Sequence, residues 1–229
     1  MSASPTTVGQ AWRAILARAG VRAGGYGSLV LTVLVILAFG VLVPWRRGFD
    51  FFDSFLIFAY SAIALLFAAS ALTDLVASSE AAIPLPPAII AAAIHGWSVL
   101  ALIYALGIAT VNATFRAPQL FYPSPKLMGA TLLFALTASV FVAALAAVLC
   151  VLFNPSVART AMRLLFLLIL LGLYFSAKIL PPLWQNALDR QLTTPGLTQV
   201  GLIGAAISFV LAMGLVLALV RSRPPIPQA

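Results

Sequence analysis

The chain has 229 residues, of which 63% are hydrophobic and 8% charged, with a formal net charge of +8. A soluble domain carries about 25% charged residues, so the polar surface here is too small to cover a water-facing core, and composition sets a soluble helical protein aside in favour of a membrane protein. The basic residues fall at the ends of apolar runs, where they meet lipid headgroups, and no basic patch is interleaved with aromatics, so nucleic acid is not an expected partner.

The first 27 residues read as an interfacial segment. In SPTTVGQAWRAILARAG, Thr7 or Ser4 can cap a helix, and Pro5 suits a first turn. Val8, Trp12, Ile15 and Ala19 recur at helical spacing, and Arg13 and Arg18 flank that face. This pattern predicts a short helix lying in the membrane surface, with Trp12 and Ile15 toward lipid and the arginine charges at the headgroups. Gly20, Gly24, Gly25 and Gly27 then supply a flexible elbow. The first apolar run begins near Ser28 and is long enough to span, so a cleaved signal peptide is not expected.

Crossing the hydrocarbon takes about 20 apolar residues. Six runs qualify: Ser28 to Trp45, Ser54 to Thr73, Ala88 to Val111, Leu127 to Phe153, Ala161 to Leu180, and Val200 to Val220. Trp45 with Arg46 and Arg47, Tyr122 with Lys126, Trp184, and Arg221 with Arg223 mark their ends. The expected fold is all-α, with six transmembrane helices over residues 28–220, an N-terminal elbow helix within 1–27 and a short tail over 221–229. Six spans put both termini on one side. With that side cytoplasmic, in an inner membrane, Arg13, Arg18, Arg22, Arg159, Arg163, Arg221 and Arg223 lie inside and Arg46, Arg47, Arg116, Lys126 and Arg190 outside, a modest bias of the expected sign.

Between the second and third runs lies LTDLVASSEAAIPLPPAII. It holds Asp74, Glu80 and the prolines 84, 86 and 87, and no basic residue. Acids keep such a segment off anionic headgroups. Val76, Ile83 and Leu85 offer apolar contact, and the prolines limit the freedom lost on docking. An ordinary connector whose prolines start the third helix is the plainer alternative.

Catalytic chemistry has little to stand on. His95 is the one histidine, and there is no HExxH, GxSxG or paired intramembrane carboxylate. A lone histidine at that depth usually ties helices together. Asp53 and Asp74 bracket the second run, and Lys178 snorkels outward. Without GxxxxGK[ST] the chain binds no nucleotide through a P-loop of its own, so it is not expected to be an enzyme or to hold a cofactor or metal. Cys150 is single and forms no intrachain disulfide. Ala135, Ser139, Ala143 and Ala147, and Gly201 with Ala205 and Gly204 with Ser208, are small residues at four-residue spacing that let helices approach closely. Packing inside the protomer is the expectation, with a subunit interface as the alternative. After the fifth run, Pro181 and Pro182 stop the helix, and LWQNAL is amphipathic but too short to cross.

Together these features resemble the permease subunit of type 2 ATP-binding-cassette transporters. The counterparts are an elbow helix over residues 6–19, the six runs, an outer segment over 182–192, and a coupling loop over 74–87 where Glu80 is followed by Ile83-Pro84-Leu85-Pro86. The glycine and second acid common in that loop are missing here, and the segment is shorter. The resemblance implies a separate ATPase subunit that binds ATP and docks on Asp74, Glu80, Ile83, Pro84, Leu85 and Pro86. It also implies a homodimer or a heterodimer with another permease, surrounding lipid, and export of an amphipathic or lipid-like substrate. A secondary transporter or channel, which normally keeps ionisable groups at mid-membrane, and a non-transporting scaffold are the alternatives.

Overall fold

The computed structural model describes residues 7–21, 27–47, 54–77, 84–114, 125–153, 155–179 and 194–221. All of the secondary structure among them is helical. The helices are α1 (Val8–Val21), α2 (Gly27–Leu37), a π turn (Ala38–Leu42), α3 (Val43–Arg47), α4 (Ser54–Ala77), α5 (Leu85–Thr114), α6 (Pro125–Leu152), α7 (Pro155–Ile179) and α8 (Thr194–Arg221). Four stretches are long and apolar enough to cross a membrane: Tyr60–Ala77, Leu85–Thr114, Pro125–Leu152 and Gly196–Arg221. The first run gives a shorter apolar stretch, Val30–Trp45. The fifth becomes α7, which has a marked apolar face and carries Arg159 and Arg163 in its first half.

Local sequence explains the helix ends. At α1 the Thr7 N–H donates to Gln10 Oε1 at 2.9 Å, and the Gln10 N–H donates to Thr7 Oγ1 at 3.3 Å. This reciprocal capping box satisfies two amides that the first turn would leave orphaned. Helix α4 runs on beyond Thr73 to Ala77, so Asp74 belongs to its last turn. Helix α5 starts at Leu85 rather than Ala88. Its first turn takes Pro86 and Pro87, whose missing N–H groups have no intrahelical acceptor there in any case.

Sequence periodicity did not show the break in the first run. In the π turn the Val43 N–H reaches back to the Ala38 carbonyl. The next residue, Pro44, is buried and has no N–H. The carbonyls of Phe39 and Gly40 therefore lose the donor that residue 44 would supply. Tyr60 on α4 donates its hydroxyl to the Phe39 carbonyl at 3.2 Å. Thr110 on α5 lies 2.7 Å from the Leu106 carbonyl of its own helix and 3.4 Å from that of Gly40. In an apolar bundle an unmet carbonyl costs several kcal/mol, so α4 and α5 supply what the proline withholds.

Helix α6 is central. It packs most extensively on α8, then on α4 and α5, and less on α7. Ala135, Ser139, Ala143 and Ala147 are all fully buried. Gly201 faces Ala130 and Gly204 faces the Phe134 ring. Both small-residue stripes thus serve packing within the protomer. Among the described glycines the tightest contact is between α4 and α5, where a Cβ placed on Gly96 would lie 2.1 Å from the Ala64 carbonyl oxygen. The indole of Trp97 donates to the Leu132 carbonyl of α6 at 3.2 Å, one residue beyond that crossing.

Two substitutions test this frame. Gly96→Ala forces α4 and α5 apart and is expected to lower stability by about 2–3 kcal/mol, whereas Gly129→Ala, with open space around it, should be neutral or slightly stabilising. Thermal unfolding of each variant in detergent checks the contrast. Tyr60→Phe keeps the ring but leaves the Phe39 carbonyl without its donor, so a loss of about 1–3 kcal/mol is expected, read in the same assay.

Candidate functional site at one end of the bundle

Several helix ends converge. The C-terminal end of α4, the start of α5 and the C-terminal end of α8 share one apolar cluster, in which Leu72, Leu75, Ala88, Ile89 and Leu219 are buried. Met162 and Phe166 of α7 and Ala146 and Ala147 of α6 join it. Helix α1 packs against the same cluster through Ala11 and Ile15, both buried, with Val8, Trp12 and Ala14 partly buried beside them. The opposite half of the bundle has its own cluster around Tyr60, Leu100, Ile103, Tyr104 and Leu197.

The polar feature of this end is an ion pair. Arg159 Nη2 of α7 lies 2.5 Å from Asp74 Oδ1 of α4. The side chains are 29% and 38% exposed, so solvent screens the attraction, and such pairs contribute on the order of 1 kcal/mol or less. Arg159 Nε is buried and has no hydrogen-bond partner among the described residues. The pair therefore holds a guanidinium that the fold has only partly satisfied. Arg13, Arg163 and Arg221 are exposed on the helices around it, and Lys126 is exposed at the far end of α6.

The predicted docking residues separate into distinct environments. Asp74 is helical and paired with Arg159. Pro84 precedes α5, and its carbonyl accepts the Ala88 N–H at 3.3 Å. Leu85 and Pro86 are half-buried and line a shallow apolar groove with Ile89, Val216, Leu219 and Val220. Glu80 and Ile83 lie outside the described residues, as does the outer segment 182–192.

The predicted interfacial residues are also divided. Ile15 is buried against α4 and α5 rather than turned to lipid, and Trp12 meets the His95 ring edge-on with centroids 5.7 Å apart. Phe67 of α4 stands against His95 in the same way, at 6.2 Å. His95 is thus held between α1, α4 and α5 by aromatic contact. Arg13 is exposed, together with Gln10, Leu16 and Ala17 on the outer face. The Arg18 side chain lies outside the described residues. The face assigned to lipid from periodicity is the one that docks α1 on the bundle, because helical spacing marks an apolar stripe without marking what covers it.

Sequence reading did not pair Asp74 with Arg159. The signal available was that both charges fall at run ends on the same predicted side of the membrane. Nothing comparable marked the contact of Trp12 with His95, which joins residues 83 positions apart. Among the described residues no three of His, Cys, Asp and Glu come together as metal ligands.

No family model, curated protein or solved structure matches this chain. Fold and composition define its class: an all-helical protein whose four long apolar helices are suited to multiple passes through a membrane.

Burial makes a sharp prediction for α1. Ile15→Asp places a charge inside the cluster and is expected to cost about 3 kcal/mol or more, while Ala17→Asp on the outer face should stay within about 0.5 kcal/mol of the native chain. Stability in detergent separates the two. Equal effects would mean that α1 is not docked as described.

Proposed function

We propose that this chain is the permease subunit of a type 2 ATP-binding-cassette transporter, working as a dimer with a separate ATPase in the inner (cytoplasmic) membrane. In this reading the first run and α7 complete six crossings, α1 serves as the elbow helix, and segment 74–87 docks the ATPase. The observation that carries the reading is mechanical. The helices on either side of residues 78–83 are locked together by the Gly96–Ala64 approach, so a push on that connection would move α4 and α5 as one body. Among the described residues Arg13, Arg159, Arg163 and Arg221 lie at that end, against Arg46, Arg47 and Lys126 at the other, a small excess that favours the cytoplasm for it under the positive-inside rule. The chain's runs hold almost no fixed charge, which suits export of an amphipathic or lipid-like substrate along a path between two copies.

Docking is best tested away from Leu85. That side chain packs against the core, so Leu85→Asp would disturb α5 as well as any partner. Glu80→Lys combined with Ile83→Asp reverses the charge and removes an apolar anchor, the kind of contact that carries most of the energy in a small interface. Purified from its native membrane in mild detergent, the unaltered chain should carry an ATP-hydrolysing subunit. The double variant should retain at least about tenfold less of it, with an unchanged melting temperature. An unaltered chain that elutes without ATP hydrolysis would overturn the proposal.

A further inference from the structure

The first half of helix α7, whose side chains are described, is fastened differently from the neighbouring helices. Helices α5 and α6 bury side chains along their whole length. Helix α8 is seated on α6 by close glycine contacts. In the first half of α7 only Ala158, Met162 and Phe166 are buried, a single line at four-residue spacing, and Leu164, Leu167 and Leu168 are exposed. A single line of contacts fixes the distance between two helices far better than it fixes rotation about that line. Although α7 begins three residues after α6 ends in the chain, it packs chiefly on α4.

The Asp74–Arg159 pair sits at the root of this thin attachment, level with its first buried residue, Ala158. It is polar, partly exposed and incompletely satisfied, since Arg159 Nε lacks a partner among the described residues. Attachments with few buried contacts and a screened polar tie lie at the low-stability end of a fold, the end from which moving elements are drawn.

We propose that α7 is the element of this bundle built to shift, pivoting on the line Ala158–Met162–Phe166, with Asp74–Arg159 as the pin that holds it closed against α4. The inference does not depend on the permease reading. Any state of the protein that separates Asp74 from Arg159 frees α7 to swing and opens the seam between α4 and α7. The charges can be exchanged without offending either helix, because Arg suits the C-terminal end of α4 and Asp suits the N-terminal end of α7.

The test uses the full chain carrying Cys150→Ser, with spin labels at Leu133→Cys on α6 and Leu168→Cys on α7, both exposed sites, in nanodiscs of phosphatidylethanolamine and phosphatidylglycerol. Pulsed electron spin resonance should give one narrow distance distribution for the unaltered pair. Asp74→Asn and Arg159→Gln should each raise a second, longer population roughly fivefold, the shift expected from losing one screened ion pair. Asp74→Arg combined with Arg159→Asp should return the narrow distribution. A distribution that stays narrow in both single variants overturns the proposal, as does a broadened one that the exchange fails to restore. If Asp74→Asn does not accumulate, Arg159→Gln and the exchange decide the matter.

Discussion

The bundle depends on how closely α4 and α5 approach at Gly96. A hydrogen atom is the only side chain that fits over the Ala64 carbonyl there. The approach sets the spacing that brings His95 between Trp12 and Phe67, and it directs Trp97 toward the Leu132 carbonyl of α6. Without a hydrophobic driving force between helices in lipid, such contacts rely on van der Waals packing, which falls off steeply with distance. One methyl group at this point would loosen interactions on three helices.

Three polar ties between helices each answer a particular need. Pro44 withholds a donor, and Tyr60 and Thr110 reach across from two other helices to the carbonyls it leaves. The Trp97 indole is amphipathic and finds an acceptor on the neighbouring helix. The Asp74–Arg159 pair is the least complete of these ties. It lies where the bundle meets its surroundings, so water can share the charge. Matching is not uniform in the interior either, since the Ser61 and Ser139 hydroxyls are buried without a hydrogen-bond partner among the described residues.

This gradation bears on where the bundle can move. The α4–α5 pair is rigid because its contact is steric. On the pin proposal the α7 attachment is the softer one, because its described first half rests on a narrow apolar line and a screened pair. A protein that passes movement from one end of a membrane to the other needs both kinds of connection. Rigid bodies carry a displacement, and soft seams let it happen. The permease proposal assigns the displacement to an ATPase, and the pin proposal concerns only where the bundle can yield.

The sequence by itself determined the class. Run length and hydropathy dictate helices suited to lipid, since backbone polar groups in hydrocarbon must be satisfied within the segment. It also marked where some helices begin, because prolines and capping residues act over a few positions, as Thr7 at α1 and Pro86 with Pro87 at α5 show, although α4, α5, α7 and α8 extend several residues beyond the apolar runs. Only the tertiary structure decided which face of α1 meets protein, that Ala135, Ser139, Ala143 and Ala147 pack inside the protomer, that the first run is broken by a π turn, and that Asp74 belongs to Arg159. Each of these depends on partners far away in the chain. A helical stripe records that one side is apolar or small, but the identity of what lies against it is fixed by distances between helices, which no local pattern encodes.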